Sequence, residues 1–494
     1  MSPENSAHDL GALLRSRVPL VVVETRDEAR ARAAVLEIAR AANPPIPVFE
    51  WAVTQGLRRA DVDLGAAQAF NADPGRVLSW LLDAMPGIYV LLDFHPYLDD
   101  PVNVRMLRDV CQGYDANPRT VVLVSPQVDV PVELATHAAR FELAPPDAAA
   151  RRVIVDRVAR EWVQRSGAYV TADETSVDLL VENMAGLSAL DTERLARTAV
   201  FDDGAISAAD VPLVAKAKYD LLSRGGVLTF ELDGARLEDL AGMARVKEWL
   251  ELRRPAFAGD APGLDAPRGL LLLGVQGCGK SLAAKVASAV FGVPLLRMDL
   301  AAIHDKFVGE SERKLRESLA TADLMAPCVV WIDEIEKGLA TSDGDAGSSL
   351  RVLGTFLTWL AEKRGRVFVV ATANDISQLP PELIRKGRFD EIFFVDLPAP
   401  ESRAEIFRIH LERRNQAAAS FDITRLAAAT PEFSGAEIEQ AVVSALFSSF
   451  AAKSPLTTDG ILREVSAARP LAVTMSERVS SMRTWARERT RAAN

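Results

Sequence analysis

Short apolar runs alternate with longer amphipathic stretches through both halves of the chain. In the second half Leu270–Leu273 is unbroken, and the stretch from Leu282 to Val290 is rich in good helix formers. Similar runs follow at Pro294–Met298, Cys328–Ile332, Val367–Ala371 and Ile392–Val395, separated by helical segments. Apolar strands that alternate with helices predict an α/β fold with a parallel sheet covered on both faces. In such sheets functional residues are expected at the carboxyl ends of the strands. Leu237–Leu250 reads as a single amphipathic helix ahead of this sheet.

The polar residues at these strand ends define the chemistry. Between the first strand and its helix lie Gly274, Val275, Gln276, Gly277, Cys278, Gly279, Lys280 and Ser281, followed by Leu282. A glycine-rich turn there lets consecutive N–H groups close around a phosphate at the positive end of a helix. Lys280 would reach the β- and γ-phosphates of a nucleoside triphosphate, and the Ser281 hydroxyl would ligate Mg²⁺. Asp333, at the end of the third strand, suits the metal, and Glu334 suits activation of the attacking water. Asn374 could hold that water or the γ-phosphate, although an Asn after a strand is also a common turn residue. Arg385 and Arg388 could stabilise the charge that builds during transfer, although Arg-x-x-Arg is also a common surface pair.

The first half repeats the pattern without the glycine loop. Pro19–Glu24 is a strand that runs straight into a helical segment. Tyr89–Asp93 parallels Val329–Asp333, which puts Phe94 where Glu334 stands. Arg119–Ser125 parallels Arg366–Thr372, and Phe141–Asp147 parallels Val395–Glu401. Leu187–Glu193 parallels Phe433–Glu439. These echoes in one order suggest a degenerate copy of the second fold, with no phosphate-binding lysine.

Composition narrows the picture. A chain of 494 residues calls for several domains. A net charge of −11 argues against a protein that grips nucleic acid through its phosphates. The first residues show no basic and apolar leader, and no apolar run reaches membrane-spanning length. Cys111, Cys278 and Cys328 are widely spaced, which fits reduced thiols and a cytoplasmic location. Cys278, at a helix N-terminus, could be a reactive thiolate, but a tolerated small residue is the simpler reading.

From about Leu237 to about Phe450 the chain resembles the AAA ATPases of the protein-remodelling type. The resemblance implies an ATP- and Mg²⁺-dependent ATPase in which Lys280 and Ser281 stand at the Walker A positions. Asp333 and Glu334 match the Walker B pair, and Asn374 matches sensor 1. Arg385 and Arg388 match paired arginine fingers that act in the neighbouring subunit's site, which implies a homo-oligomer, a hexamer in this family. Gly242 matches a glycine that lies against adenine, and Gly435 and Ala436 match the start of the lid helix. Phe307 and Val308 match a pore loop that grips an extended polypeptide, so the implied partner is a protein client of unstated identity. Val275 and Gln276 replace the usual proline pair, and Lys386 replaces another proline. The layout also resembles one AAA branch first noted as an open reading frame of plastid genomes and found in many bacteria. The expected organisation is an inactive AAA-like domain with lid over 1–222, a linker over 223–236, the ATPase core over 237–400 and a helical lid and tail over 401–494. The alternatives to a protein remodeller are a nucleic-acid-dependent ATPase and a nucleotide-gated scaffold.

Overall fold

The computed structural model describes residues 10–494 except 26, 63–70, 208, 224–226, 233, 304–309, 340–345, 364 and 386. Phe307 and Val308, the proposed pore-loop pair, lie outside the described residues, as does Lys386. Main-chain contacts divide the chain into two units, Met1–Asp210 and Val211–Asn494.

The first unit is built on β1 (Leu20–Glu24), β2 (Val48–Ala52), β3 (Gly56–Arg59), β4 (Gly87–Leu92), β5 (Arg119–Ser125) and β6 (Ala138–Glu142). They form one sheet in the order β3-β2-β4-β5-β1-β6, with only the β2–β3 pair antiparallel. Alternate residues of β1 serve opposite cores: Leu20 and Val22 face one apolar cluster, and Val21 and Val23 the other. That two-sided burial is why the strand reads as an unbroken apolar run. Helix α1 (Glu28–Ala41) follows β1 after only three residues, with Asp27 as its N-cap. Helices α2 (Ala148–Ser166) and α3 (Ala189–Asp203) make the main contact of a helical subdomain. Two short strands, β7 (Thr171–Ala172) and β8 (Ala205–Ile206), pair beside them.

The second unit contains β9 (Leu228–Glu231), β10 (Gly269–Gly274), β11 (Leu295–Met298), β12 (Cys328–Ile332), β13 (Val367–Ala373), β14 (Glu391–Val395) and β15 (Arg491–Ala492). Their order is β15-β14-β10-β13-β12-β11-β9. Numbered within each half, five parallel strands of each sheet run 5-1-4-3-2, each second strand carries an antiparallel neighbour at its outer edge, and β15 adds one more parallel strand beside β14 in the second sheet. A different strand order in the first half would have removed the case for a repeat, and the orders agree. The helices that carry the site are α4 (Lys280–Phe291), α5 (Pro400–Glu412), α6 (Gly435–Ala451) and α7 (Ser476–Ala486).

Side chains reinforce the repeat. Arg151 in α2 donates to Pro146 O at 2.6 Å and Val181 O at 2.8 Å. Arg403 in α5 donates to Pro398 O at 3.0 Å and Ala427 O at 3.1 Å. Each buried guanidinium ties one helix of its subdomain to the same two kinds of main-chain carbonyl, satisfying a charge that burial would otherwise penalise. The pairing aligns Pro146 with Pro398, two residues away from the Pro400 suggested by sequence. Ser188 caps α3 through Asp191 N–H, and Ser434 caps α6 through Glu437 N–H, as the matched motifs predict.

Four expectations change. Leu237–Leu250 is not one helix: a short 3₁₀ turn at Leu237–Asp239 and a helix from Ala244 to Ala258 flank a break. Gly242 and Met243 sit there with φ of +66° and +51°, a region that cannot continue a right-handed helix. The 223–236 stretch, expected as a linker, contributes β9 to the second sheet. Tyr219, expected in the first domain, lies in the core of the second unit and donates its hydroxyl to Leu228 O. Finally, the left-handed residue after β4 is Asp93 (φ +49°), matching Glu334 (φ +48°), while Phe94 and Ile335 are the buried residues that follow. Phe94 therefore corresponds to Ile335, and Leu92, rather than Asp93, takes the place of Asp333.

Candidate nucleotide site

The loop after β10 opens where neighbouring connections leave the sheet in opposite directions, between β14 and β13. That is the position at which open α/β sheets hold ligands. Two glycines are required by contact. A Cβ at Gly274 would come within 2.0 Å of Val395 O, and one at Gly277 within 2.9 Å of Ser434 Oγ. Gly279 is the N-cap of α4, so the helix axis points its N–H groups at the loop. Lys280 is 6% exposed and donates to Gly274 O at 2.8 Å and Val275 O at 2.7 Å. Burial pushes its ammonium down to about 8, partly offset by the acidic groups around it. A triphosphate would supply the anionic partner this buried cation lacks. Burial pushes the Cys278 thiol up to about 12 and outweighs Lys280 beside it, which supports the simpler reading of a tolerated small residue over a reactive thiolate.

The acids at the end of β12 are wired to the end of β13. Thr372 donates its hydroxyl to Asp333 Oδ1 at 2.6 Å, and Ser281 donates to the same oxygen at 3.3 Å. Glu334 N–H donates to Thr372 Oγ1 at 3.1 Å, which fixes the left-handed turn. Asn374 Nδ2 donates to Glu334 Oε1 at 2.8 Å, and Lys337 pairs with Oε2. Behind them Glu336, 3% exposed, accepts from Asn374 N–H at 2.8 Å. Burial raises the Glu336 carboxyl above its usual range. Both oxygens of Glu334 are thus oriented, and the residue that orients it is itself anchored.

Beside them opens a cleft of about 450 Å³. Gln276 through Leu282, Asp333, Glu334 and Asn374 line one end, and Gly435 and Ala436 close over it. Ala436 N–H donates to Gly277 O at 3.0 Å, tying α6 to the loop. The other end is more apolar, with Ala241, Met243, Ile406 and Ile409. Gly242, Gly274 and Val275 shape the cleft from behind rather than lining it. Arg385 and Arg388 do not line it: Arg385 is exposed, and Arg388 donates to Leu357 O at 2.6 Å.

Residues 270–397 match the family model described as "ATPase family associated with various cellular activities (AAA)". Over nearly its full length the chain is 33% identical to the AAA domain-containing protein ycf46 of Pyropia yezoensis (488 residues, 98% of each chain). The chain belongs to the AAA ATPase family. The ycf46 protein of Guillardia theta is also 33% identical, over 97% of this chain and 94% of its own. The proteasome-activating nucleotidase of Sulfurisphaera tokodaii is 37% identical over 203 residues, 40% of this chain and 51% of that one. The first unit of this AAA ATPase carries its own matches, to "SpoVK-like AAA ATPase, N-terminal domain" at 6–143 and "SpoVK-like AAA ATPase, second domain" at 149–225. The N-terminal half is thus an AAA-like domain without a phosphate loop, and the enzyme hydrolyses ATP. Sequence reasoning missed several residues of the AAA ATPase site: Thr372, Glu336, Lys337, His410 and Asn494. Thr372 had a signal, lying on β13 two residues before Asn374. Asn494 had none, because only the fold brings it to the cleft.

Proposed function

We propose that the protein assembles as a ring of identical subunits, a hexamer, and uses ATP hydrolysis to draw a protein client past Phe307 and Val308. The observation that carries this reading is the position of Arg385, exposed and absent from the lining of its own cleft. Charge that develops during phosphoryl transfer needs a cation. A head-to-tail neighbour is the natural donor, and head-to-tail contacts that close give a ring. In this reading Lys280 and the loop N–H groups bind the phosphates, Glu334 takes the proton of the attacking water, and Asn374 holds Glu334 in place. Ser281 and Asp333, whose oxygens already meet, would hold magnesium, which would supply neutralisation of the phosphate charge when bound. No helix among the described residues is long and apolar enough to cross a membrane. Cys111, Cys278 and Cys328 are free, which supports a reducing, cytoplasmic setting.

Two experiments test the reading. Glu334→Gln should bind ATP, fail to turn it over and retain client in pull-downs from lysate. Recovery of nucleic acid in place of protein, or full function without turnover, would replace the remodelling proposal. Phe307→Ala should keep basal hydrolysis within about twofold while losing client-stimulated work, since in this reading it acts on the client and not on the nucleotide. Unchanged remodelling by that variant would remove the threading step.

A further inference from the structure

The two sheets match strand for strand except at one edge. In the second sheet the outer edge of β14 is covered by β15, which runs parallel to it with Arg491 beside Phe393 and Ala492 beside Phe394. Ala493 N–H donates to Phe394 O at 3.0 Å, and Ala493 O accepts from Arg245 N–H at 3.1 Å. The final strand is thus held between the sheet edge and the start of the Ala244–Ala258 helix. Ala493, 2% exposed, joins the apolar cluster of Val246, Leu250, Leu270 and Phe393.

In the first sheet β6 takes the place of β14. Val23 pairs with Phe141 as Leu272 pairs with Phe393, and the two phenylalanines each stand five residues before the matched Pro146 and Pro398. The helix over 10–15 packs Leu10 and Leu14 against Val21, Val23 and Phe141. In the same way the Ala244–Ala258 helix packs Val246 and Leu250 against Leu270, Leu272 and Phe393. Among the described residues no strand pairs with the outer edge of β6. A groove of about 670 Å³ runs there, with Phe141, Glu142, Ala144 and Pro145 on one side and Ala12 and Leu13 on the other. It has the strand wall and the helix wall that enclose β15 in the second unit.

An open edge strand presents a row of main-chain N–H and C=O groups to which another strand can add. Charged side chains can guard such an edge. Arg140 does not, because it is turned back across β1 to Glu24 at 3.3 Å and Val128 O at 3.1 Å. Arg30 donates to Ala144 O, which fixes the chain where it leaves β6. The chain's own last strand is committed to β14, so the occupant of this seat is a segment of another protein.

We propose that the outer edge of β6 is a docking site for an extended segment of a partner protein, added parallel to β6 with a small apolar residue in the position that Ala493 holds on β14. The proposal does not depend on the ring or on the threaded client.

The test selects short random peptides by phage display on the full-length protein and measures the enriched ones as labelled synthetic probes. Val395 O accepts from Val275 N–H on the β10 side, so the main chain of Phe394 faces outward, and by the same register that of Glu142 does too. Glu142→Pro removes that N–H and sets a ring against the edge, a change that edge strands tolerate. It should weaken peptide binding about tenfold or more, while Glu142→Ala, which keeps the main chain, should bind within about twofold of wild type. ATP hydrolysis and melting temperature should be unchanged in both. If Glu142→Pro fails to fold, Ala12→Trp decides: Ala12 is exposed on its helix, and an indole there should fill the groove and weaken binding as much. No enriched peptide, peptides that bind the folded variants as well as wild type, or an equal loss in Glu142→Ala overturns the proposal. So does binding that appears only once residues 1–9 are removed, which would give the edge to the chain's own start. An oligomer that Glu142→Pro dissolves would give it to a second copy and overturn the proposal as well.

Discussion

Lys280→Ala should abolish measurable ATP binding while leaving the protein folded. Lys280 is the cation at the floor of the cleft, and its two partners are carbonyls of its own loop. Charge-assisted hydrogen bonds are worth about 1.5–3 kcal/mol each, so losing those to the phosphates costs roughly 10² to 10⁴ in affinity. The same change should not cost the fold much, because burial already disfavours the charged side chain and pushes it down to about 8. A ligand that binds only the folded state at 100 times its Kd raises stability by about 2.7 kcal/mol. Wild-type protein should therefore melt higher with ATP, and Lys280→Ala should melt at the same temperature with or without it. Calorimetric titration and thermal shift together check this. Retained tight binding would overturn the phosphate-loop assignment.

Arg385→Ala should bind ATP near normally and lose hydrolysis by about 10³-fold or more, the scale of an arginine finger. Arg385 is the cleaner of the two arginines to remove, since it is exposed, whereas Arg388 also holds Leu357 O. A mixing experiment separates a finger given to a neighbour from one used at home. Subunits with Lys280→Ala still carry Arg385, and subunits with Arg385→Ala still carry Lys280. Mixed together, the two inactive proteins should regain part of the wild-type rate, because some interfaces then join an intact loop to an intact finger. No regain on mixing, or a monomer that turns over at the full rate, would reject donation between subunits.

Much of this architecture was legible because its signals are local. An unbroken run such as Leu270–Leu273, short and followed by a glycine loop, reads as a strand buried on both faces, and Ser434 with Glu437 is a capping box written in four residues. The order of strands in the first half was likewise foreshadowed by matched runs. What was not legible depends on partners distant in sequence. β9 and β15 are short edge strands with no alternation of their own, and they exist through β11 and β14. The break at Gly242–Met243 reads as helix by composition, yet side chains from Glu405 and Asn494 capture the N–H groups that a helix would need. The shift from Phe94 to Asp93 shows the same limit: a one-residue register change is invisible in apolar pattern but plain in φ and burial.

One residue of the first unit bears on how the two halves differ in time. Asp27 accepts from Arg30 N–H at 3.2 Å with one carboxylate oxygen and from Ala189 N–H at 3.2 Å with the other. It therefore bridges the starts of α1 and α3, whereas in the second unit the start of α6 is tied to the phosphate loop by Ala436 N–H on Gly277 O. An anion that belongs to the chain cannot be exchanged, cleaved or released. Sheet and helical subdomain in the first unit are thus held in a single setting, with no chemical clock to reset them.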